Sequence, residues 1–206
     1  MPPHAYPSLC TASTLAGRIE ELGAHCIERA QLPQIIEVVL QACDAVAEGH
    51  ARGVIHGALT ASCVVLGPDG GVSVRERADA PETATVPYYS TEQAWGRHND
   101  LDERTDVHAF GGMLFLLLTL RAPHANRGDV GLELAAARRG AVSAPQTLCP
   151  DRELPSVLCG IASRALAASP NDRYPSIALF KQAVERFTSA CVADSPISRT
   201  SHECVI

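Results

Sequence analysis

The sequence predicts a mainly α-helical fold carrying a small β-hairpin patch, and three observations lead there. Apolar residues recur at helical spacing over much of the chain, as at Ile35, Ile36, Val39, Leu40, Cys43 and Val46, which share one face of a 3.6-residue period. Two short Val-rich runs, Val64–Leu66 and Val72–Val74, flank the turn-forming stretch Gly67-Pro-Asp-Gly-Gly71, which is the composition of a hairpin. The third is composition: with 46% hydrophobic and 19% charged residues in 206, the chain has a globular domain's core and is neither disordered nor collagen-like.

Residues 1–12 are Pro-rich and unpatterned, and residues 190–206 are polar. Both are expected to be flexible tails, leaving 13–189 as the folded domain. A first helix is expected over 14–22 and a longer one over 33–50, with Pro33 in its first turn. Three β signals follow, at 53–56, 64–66 and 72–74. Helical periodicity then returns near 102–120, 129–139 with Gly140 as its stop, 154–168 and 175–188, the last placing Ile177, Phe180, Val184 and Phe187 on one face.

Several function classes are excluded by composition. Seventeen basic against twenty-three acidic residues give a net charge of -6, and no Lys/Arg run supplies the footprint of a nucleic-acid binder. The most apolar stretch, 107–120, is shorter than a membrane span and is broken by His108 and Gly111-Gly112, so it reads as a buried helix. No secretory n-region or h-region opens the chain, and a cytoplasmic location is expected. The eight cysteines form no CxxC pair and are expected to be reduced. His25-Cys26 and His202-x-Cys204 are two-residue fragments too sparse for a zinc site, and Cys204 is misplaced for prenylation. Neither metal nor cofactor is expected.

Residues 53–66, Gly-Val-Ile-His-Gly-Ala-Leu-Thr-Ala-Ser-Cys-Val-Val-Leu, resemble the catalytic loop of bacterial Ser/Thr protein kinases, G-V-x-H-R-D-L-K-P-x-N-x-L-L. Val86-Pro-Tyr-Tyr-Ser-Thr-Glu-Gln93 is similar to the segment that closes that family's activation loop, P-x-Y-x-x-P-E-Q. Arg104-Thr-Asp-Val-His-Ala-Phe-Gly111 is similar to its R-x-D-V-Y-x-L-G helix start, and Ala168-Ser-Pro-Asn-Asp-Arg-Tyr-Pro-Ser176 to its D-P-x-x-R-P-S element. The resemblance covers about 15–187 and implies a protein-kinase-like C-terminal lobe without the N-terminal β lobe. No GxGxxG occurs, and the only lysine is Lys181, so the phosphate-covering loop and the strand lysine are both missing.

The resemblance also implies a degenerate reaction centre. The aspartate that accepts the substrate hydroxyl proton aligns with Ala58, and loss of a general base typically costs about 10²- to 10⁴-fold. The lysine that neutralises the transferring phosphoryl aligns with Thr60. The asparagine that binds the second Mg²⁺ aligns with Cys63, whose soft sulfur suits a hard cation badly. At the metal-binding DFG triplet the chain reads Glu76-Arg-Ala78, keeping a carboxylate but replacing a buried phenylalanine by Arg77. The stretch 76–87 is too short for a substrate-binding activation loop, and Thr83 and Thr85 within it are not read as phosphosites.

What the resemblance retains is structural. It implies an ion pair between Glu92 and Arg173, an Asp106 that holds the catalytic-loop backbone, and a His56 packed beneath it. Cys63 with His56 is read as a packed thiol rather than a nucleophile pair, residues 114–118 as core rather than a ligand box, and Arg138-Arg139 as a helix C-terminus that favours cations. The chain is therefore expected to be an inactive pseudokinase acting as a regulatory or interaction scaffold. Its protein partner or second copy is expected on the face left open by the missing lobe, around 64–66. Half of a split kinase and an ATP sensor without turnover are the alternatives.

Overall fold

The computed structural model describes residues 13–23, 31–76, 85–126 and 128–193. Strand β1 (Ser13–Thr14) leads into helix α1 (Leu15–Gly23), and the long α2 (Leu32–Ala51) precedes the strands β2 (Val64–Leu66) and β3 (Val72–Val74). Six helices follow: α3 (Thr91–Ala94), α4 (Glu103–Thr119), α5 (Val130–Arg139), α6 (Pro145–Leu148), α7 (Ser156–Ala165) and α8 (Ile177–Ala193). The fold is mostly helical.

The hydrophobic α4 organises the core. Asp102 caps it, its carboxylate accepting from the Arg104 N–H at 2.8 Å, an acidic cap that also complements the helix dipole. Val107, Phe110, Met113, Leu114 and Leu117 are all buried, so this helix is surrounded by others rather than presenting one wet face. It packs on α7 and α8, while α2 lays its Ile36, Val39 and Cys43 face on α8 and β3.

Close approach between α4 and α7 depends on Gly111. A Cβ there would lie 2.6 Å from the Ala165 Cβ and 3.2 Å from its backbone carbon. Ala is favoured over Gly in a helix interior by about 1 kcal/mol, but overpacking a core costs about 1–3 kcal/mol. Gly111→Ala is therefore expected to lower stability by up to about 2 kcal/mol, read as a lower midpoint in chemical denaturation.

Several sequence expectations are corrected. Residues 53–56 form no strand: the Val54 N–H bonds back to the Gly49 carbonyl, and those of His56 and Gly57 go to the Asp106 carboxylate, so no ladder can form. Thr14 belongs to β1 rather than to a helix, and its Oγ1 accepts from the Gly17 N–H at 3.2 Å, at the start of α1. The helix expected over 154–168 runs over Ser156–Ala165: the Leu166 N–H still bonds to the Ala162 carbonyl, but the Ala167 N–H turns to that of Arg164 and the ladder ends. Helix α8 begins two residues later than expected and continues to Ala193, so the first four residues of the expected tail are helical. Residues 1–12 and 194–206 lie outside the described residues.

The sheet also differs from a lone hairpin. Its order is β1-β2-β3, all antiparallel, with Thr14 opposite Val65 and Val64 opposite Val74. β2 is thus the middle strand, its Val64 is fully buried, and the expected open apolar patch at 64–66 is largely covered. The exposed hydrophobe nearby is Val54, at 59%.

Candidate functional site

The loop 54–63 is shaped from three sides. Helix α2 ends in the turn at Arg52 and Gly53, and Gly53 and Gly57 take left-handed φ values of 75° and 64°, which favour glycine. From beneath, the buried Asp106 on the first turn of α4 accepts three hydrogen bonds. Its Oδ1 takes the Gly57 N–H at 2.8 Å, and its Oδ2 takes the His56 N–H at 2.9 Å and the His50 ring Nε2 at 2.7 Å. From the side, the Gln93 amide donates to the Gly57 carbonyl at 2.7 Å.

His50 was not singled out by sequence. The signal available was its place in the last turn of α2, where a cation complements the helix dipole. Burial opposes its protonation, but the hydrogen bond and charge of Asp106, with Glu103 beyond, outweigh that and hold its pKa above the ordinary value.

His56 meets the Asp106 carboxylate through its backbone rather than its ring. Its backbone N–H makes that contact, while its half-buried ring reaches the Arg75 carbonyl through Nε2 at 2.7 Å and accepts from the Ala58 N–H on Nδ1 at 3.3 Å. Both nitrogens are so engaged, and neither is turned to a thiol. Cys63 meets Thr60 instead, Sγ to Oγ1 at 3.4 Å, with the Ala58 carbonyl at 3.6 Å from the same sulfur. Ala58, Thr60 and Cys63 thus lie together, the last two buried. Glu76 stands exposed just past β3. The cavity between Gly57, Ala58, Tyr88 and Gln93 is about 10 Å³, the space of about one water. Arg77, Ala78 and Thr83 lie outside the described residues; Thr85 is buried.

A second cluster fixes the far side. Arg173, 1% exposed, makes a bidentate pair with Glu92, Nη1 to Oε1 at 2.6 Å and Nη2 to Oε2 at 2.8 Å. Its remaining donors reach the carbonyls of Ala167, Arg104 and Ala168 at 2.8, 3.0 and 3.1 Å, so all five guanidinium N–H groups are used. Thr105 Oγ1 also donates to Glu92, at 3.0 Å. Burial pushes the Glu92 carboxyl up, but the Arg173 hydrogen bonds and charge prevail and bring it down to about 2.

Next to this cluster the rings of His108 and His124 are buried and stacked, centroids 6.1 Å apart. Burial holds both well toward the neutral form, His124 down to about 4. Arg138, exposed at the end of α5, lies 5.3 Å over the Trp95 ring and donates to the Ala94 carbonyl. Among the described residues no three His, Cys, Asp or Glu side chains are placed to hold a metal, and no helix is long and apolar enough to cross a membrane.

No family model matches the chain. Individual proteins do. The serine/threonine-protein kinase Pkn1 of Myxococcus xanthus is 32% identical over 168 residues, 73% of this chain and 24% of that protein. The serine/threonine-protein kinase PknD of Chlamydia felis is 27% identical over 188 residues, 77% of this chain and 20% of PknD. The chain is a relative of the bacterial protein kinases. A shorter match joins it to the tyrosine-protein kinase MasK of Myxococcus xanthus, 36% identical over 108 residues, 52% of this chain and 16% of MasK. The chain spans about a quarter or less of the length of these kinases.

Proposed function

We propose that this chain is a protein-kinase-like C-lobe module that is catalytically inactive and works as a protein-interaction or regulatory scaffold. One observation carries the reading: where the kinase loop needs a base, a phosphate-neutralising cation and a metal ligand, Ala58 offers no proton acceptor, and Thr60 and Cys63 are buried against each other. Phosphoryl transfer is almost entirely positioning and electrostatic stabilisation; Ala58 and Thr60 supply no charge, Cys63 is a poor ligand for a hard cation, and the Thr60 hydroxyl is held against the Cys63 sulfur. The frame around them is held by Asp106, Gln93 and the Glu92–Arg173 pair.

The partner's place in this reading is the face that the N-terminal lobe covers in a complete kinase. There a groove of about 480 Å³ runs between α2 and β3, with Val46, Val54, Ile55 and Val74 along it. A second polypeptide, either another protein or a copy of this chain, would cover Val54. The location would be cytoplasmic.

Titration calorimetry with ATP and Mg²⁺ tests the scaffold against the sensor. No heat of binding is expected, and a saturable heat lost on Glu76→Ala would establish a nucleotide sensor instead. A split kinase is disfavoured by Ala58, because a borrowed lobe would still meet no base.

A further inference from the structure

A separate groove lies between α7 and α8. Its volume is about 590 Å³. Val157 and Ile161 line it from α7, and Leu179, Ala183 and Phe187 line it from α8. These positions fall at i and i+4 on one helix and at i, i+4 and i+8 on the other, so two apolar stripes face one cleft. Val157 is 57% exposed and Leu179 46%, and both are among the most exposed large hydrophobes of the described residues.

The charge around this cleft has one sign. Arg164 and Arg186 are the only charged side chains among the lining residues, in a chain of net charge -6. Neither meets a carboxylate among the described residues: Arg164 stacks over the Tyr174 ring at 4.3 Å, and Arg186 donates to the Gln182 side chain at 3.2 Å. Arg173 and Lys181, by contrast, both have carboxylate partners. An apolar cleft with a cationic edge selects an apolar ligand with acidic flanks.

We infer that this groove docks an acidic amphipathic helix from another polypeptide, its apolar stripe in the cleft and its Asp or Glu residues against Arg164 and Arg186. A helix is the fitting shape because two helices supply most of the walls, Tyr174 and Pro175 being the lining residues outside them. The groove offers no strand edge for an extended peptide, and two adjacent helices leave a furrow into which the ridge of a third packs. Helix α7 has 10 residues, so the occupant needs about three turns. This inference stands apart from the proposed function, since none of these residues belongs to the loop 54–63.

Fluorescence anisotropy with two labelled synthetic peptides tests it. Both carry Leu at i, i+4, i+7 and i+11 of a three-turn helix; one has Glu at the flanking positions and the other Lys. The intact chain is expected to bind the Glu peptide roughly tenfold more tightly than the Lys peptide, with the preference shrinking in high salt. The double variant Arg164→Glu/Arg186→Glu is expected to reverse the order. Equal binding of the two peptides, binding of neither, or an order unchanged in the double variant would each overturn the proposal. So would sedimentation showing self-association that Leu179→Asp abolishes, because the occupant would then be a second copy of the chain.

Discussion

Replacing Arg173 with Met is expected to lower the unfolding free energy by about 3–5 kcal/mol, the typical cost of removing one partner from a buried ion pair. The substitution strands the Glu92 carboxylate, 5% exposed, without its guanidinium, leaving it its own backbone N–H and hydroxyl donors such as Thr105. It also releases the carbonyls of Arg104, Ala167 and Ala168, which join α4 to the segment after α7. Urea denaturation at neutral pH reads the loss as a lower midpoint at unchanged slope. Glu92→Met/Arg173→Met removes both charges and is expected to cost less than Arg173→Met alone, since no uncompensated ion is left.

The same pair sets the acid limit. Glu92 has its folded pKa depressed to about 2 from the ordinary 4.5, so its stabilisation is complete above the unfolded value and is lost as pH falls from there toward 2. Stability measured from pH 5 downward is expected to drop steeply in the native chain. In the double Met variant the Glu92 share of that slope disappears. An unchanged slope would mean that other carboxylates set the acid limit.

Asp106→Ala is the second large effect. Three donors, the backbone N–H groups of His56 and Gly57 and the His50 ring, lose their acceptor at once. Each buried donor left unpaired costs about 1–3 kcal/mol, so a loss of about 3 kcal/mol or more is expected. Faster amide exchange at His56 and Gly57 should accompany it. The pH response has the opposite sign to that of Glu92. His50 is raised above its unfolded value, so its contribution is fully present below about 6.5 and is lost as pH rises through the folded pKa. Asp106→Ala is expected to flatten this alkaline-side decline, which denaturation between pH 5 and 9 would show.

Periodicity made the helices legible, because apolar residues such as Val39, Cys43 and Val46 must face the core at fixed intervals whatever they pack against. The segment 53–56 was not legible. Its Val and Ile have strand propensity, but its Gly53 and Val54 N–H groups turn back to carbonyls of α2 and its His56 N–H goes to a carboxylate about fifty residues away, and local composition carries no trace of that partner. The end of α7 was not legible either: the Ala167 N–H turns to the Arg164 carbonyl, while Ala167 and Ala168 are themselves good helix formers and give no sign of it. At the site, motif similarity alone suggested that Glu92 pairs with Arg173 and that Asp106 holds the loop backbone, contacts between distant stretches of the chain. His50 has no motif of its own, so its bond to Asp106 emerges only when α2 and α4 are packed. The place of β2 as the middle strand depends on β1, a two-residue strand too short to leave a pattern.

Phosphotransfer by the purified chain tests the central proposal most directly. Incubated with radiolabelled ATP and Mg²⁺ or Mn²⁺, alone and with a generic protein acceptor, it is expected to transfer no label above a no-protein control. Ala58→Asp alone is expected to leave that result unchanged, because Thr60 still supplies no cation and Cys63 no hard ligand for the metal. Label incorporated by the native chain, and lost when Glu76 is replaced by Ala, would contradict an inactive scaffold and place a working reaction centre in this loop.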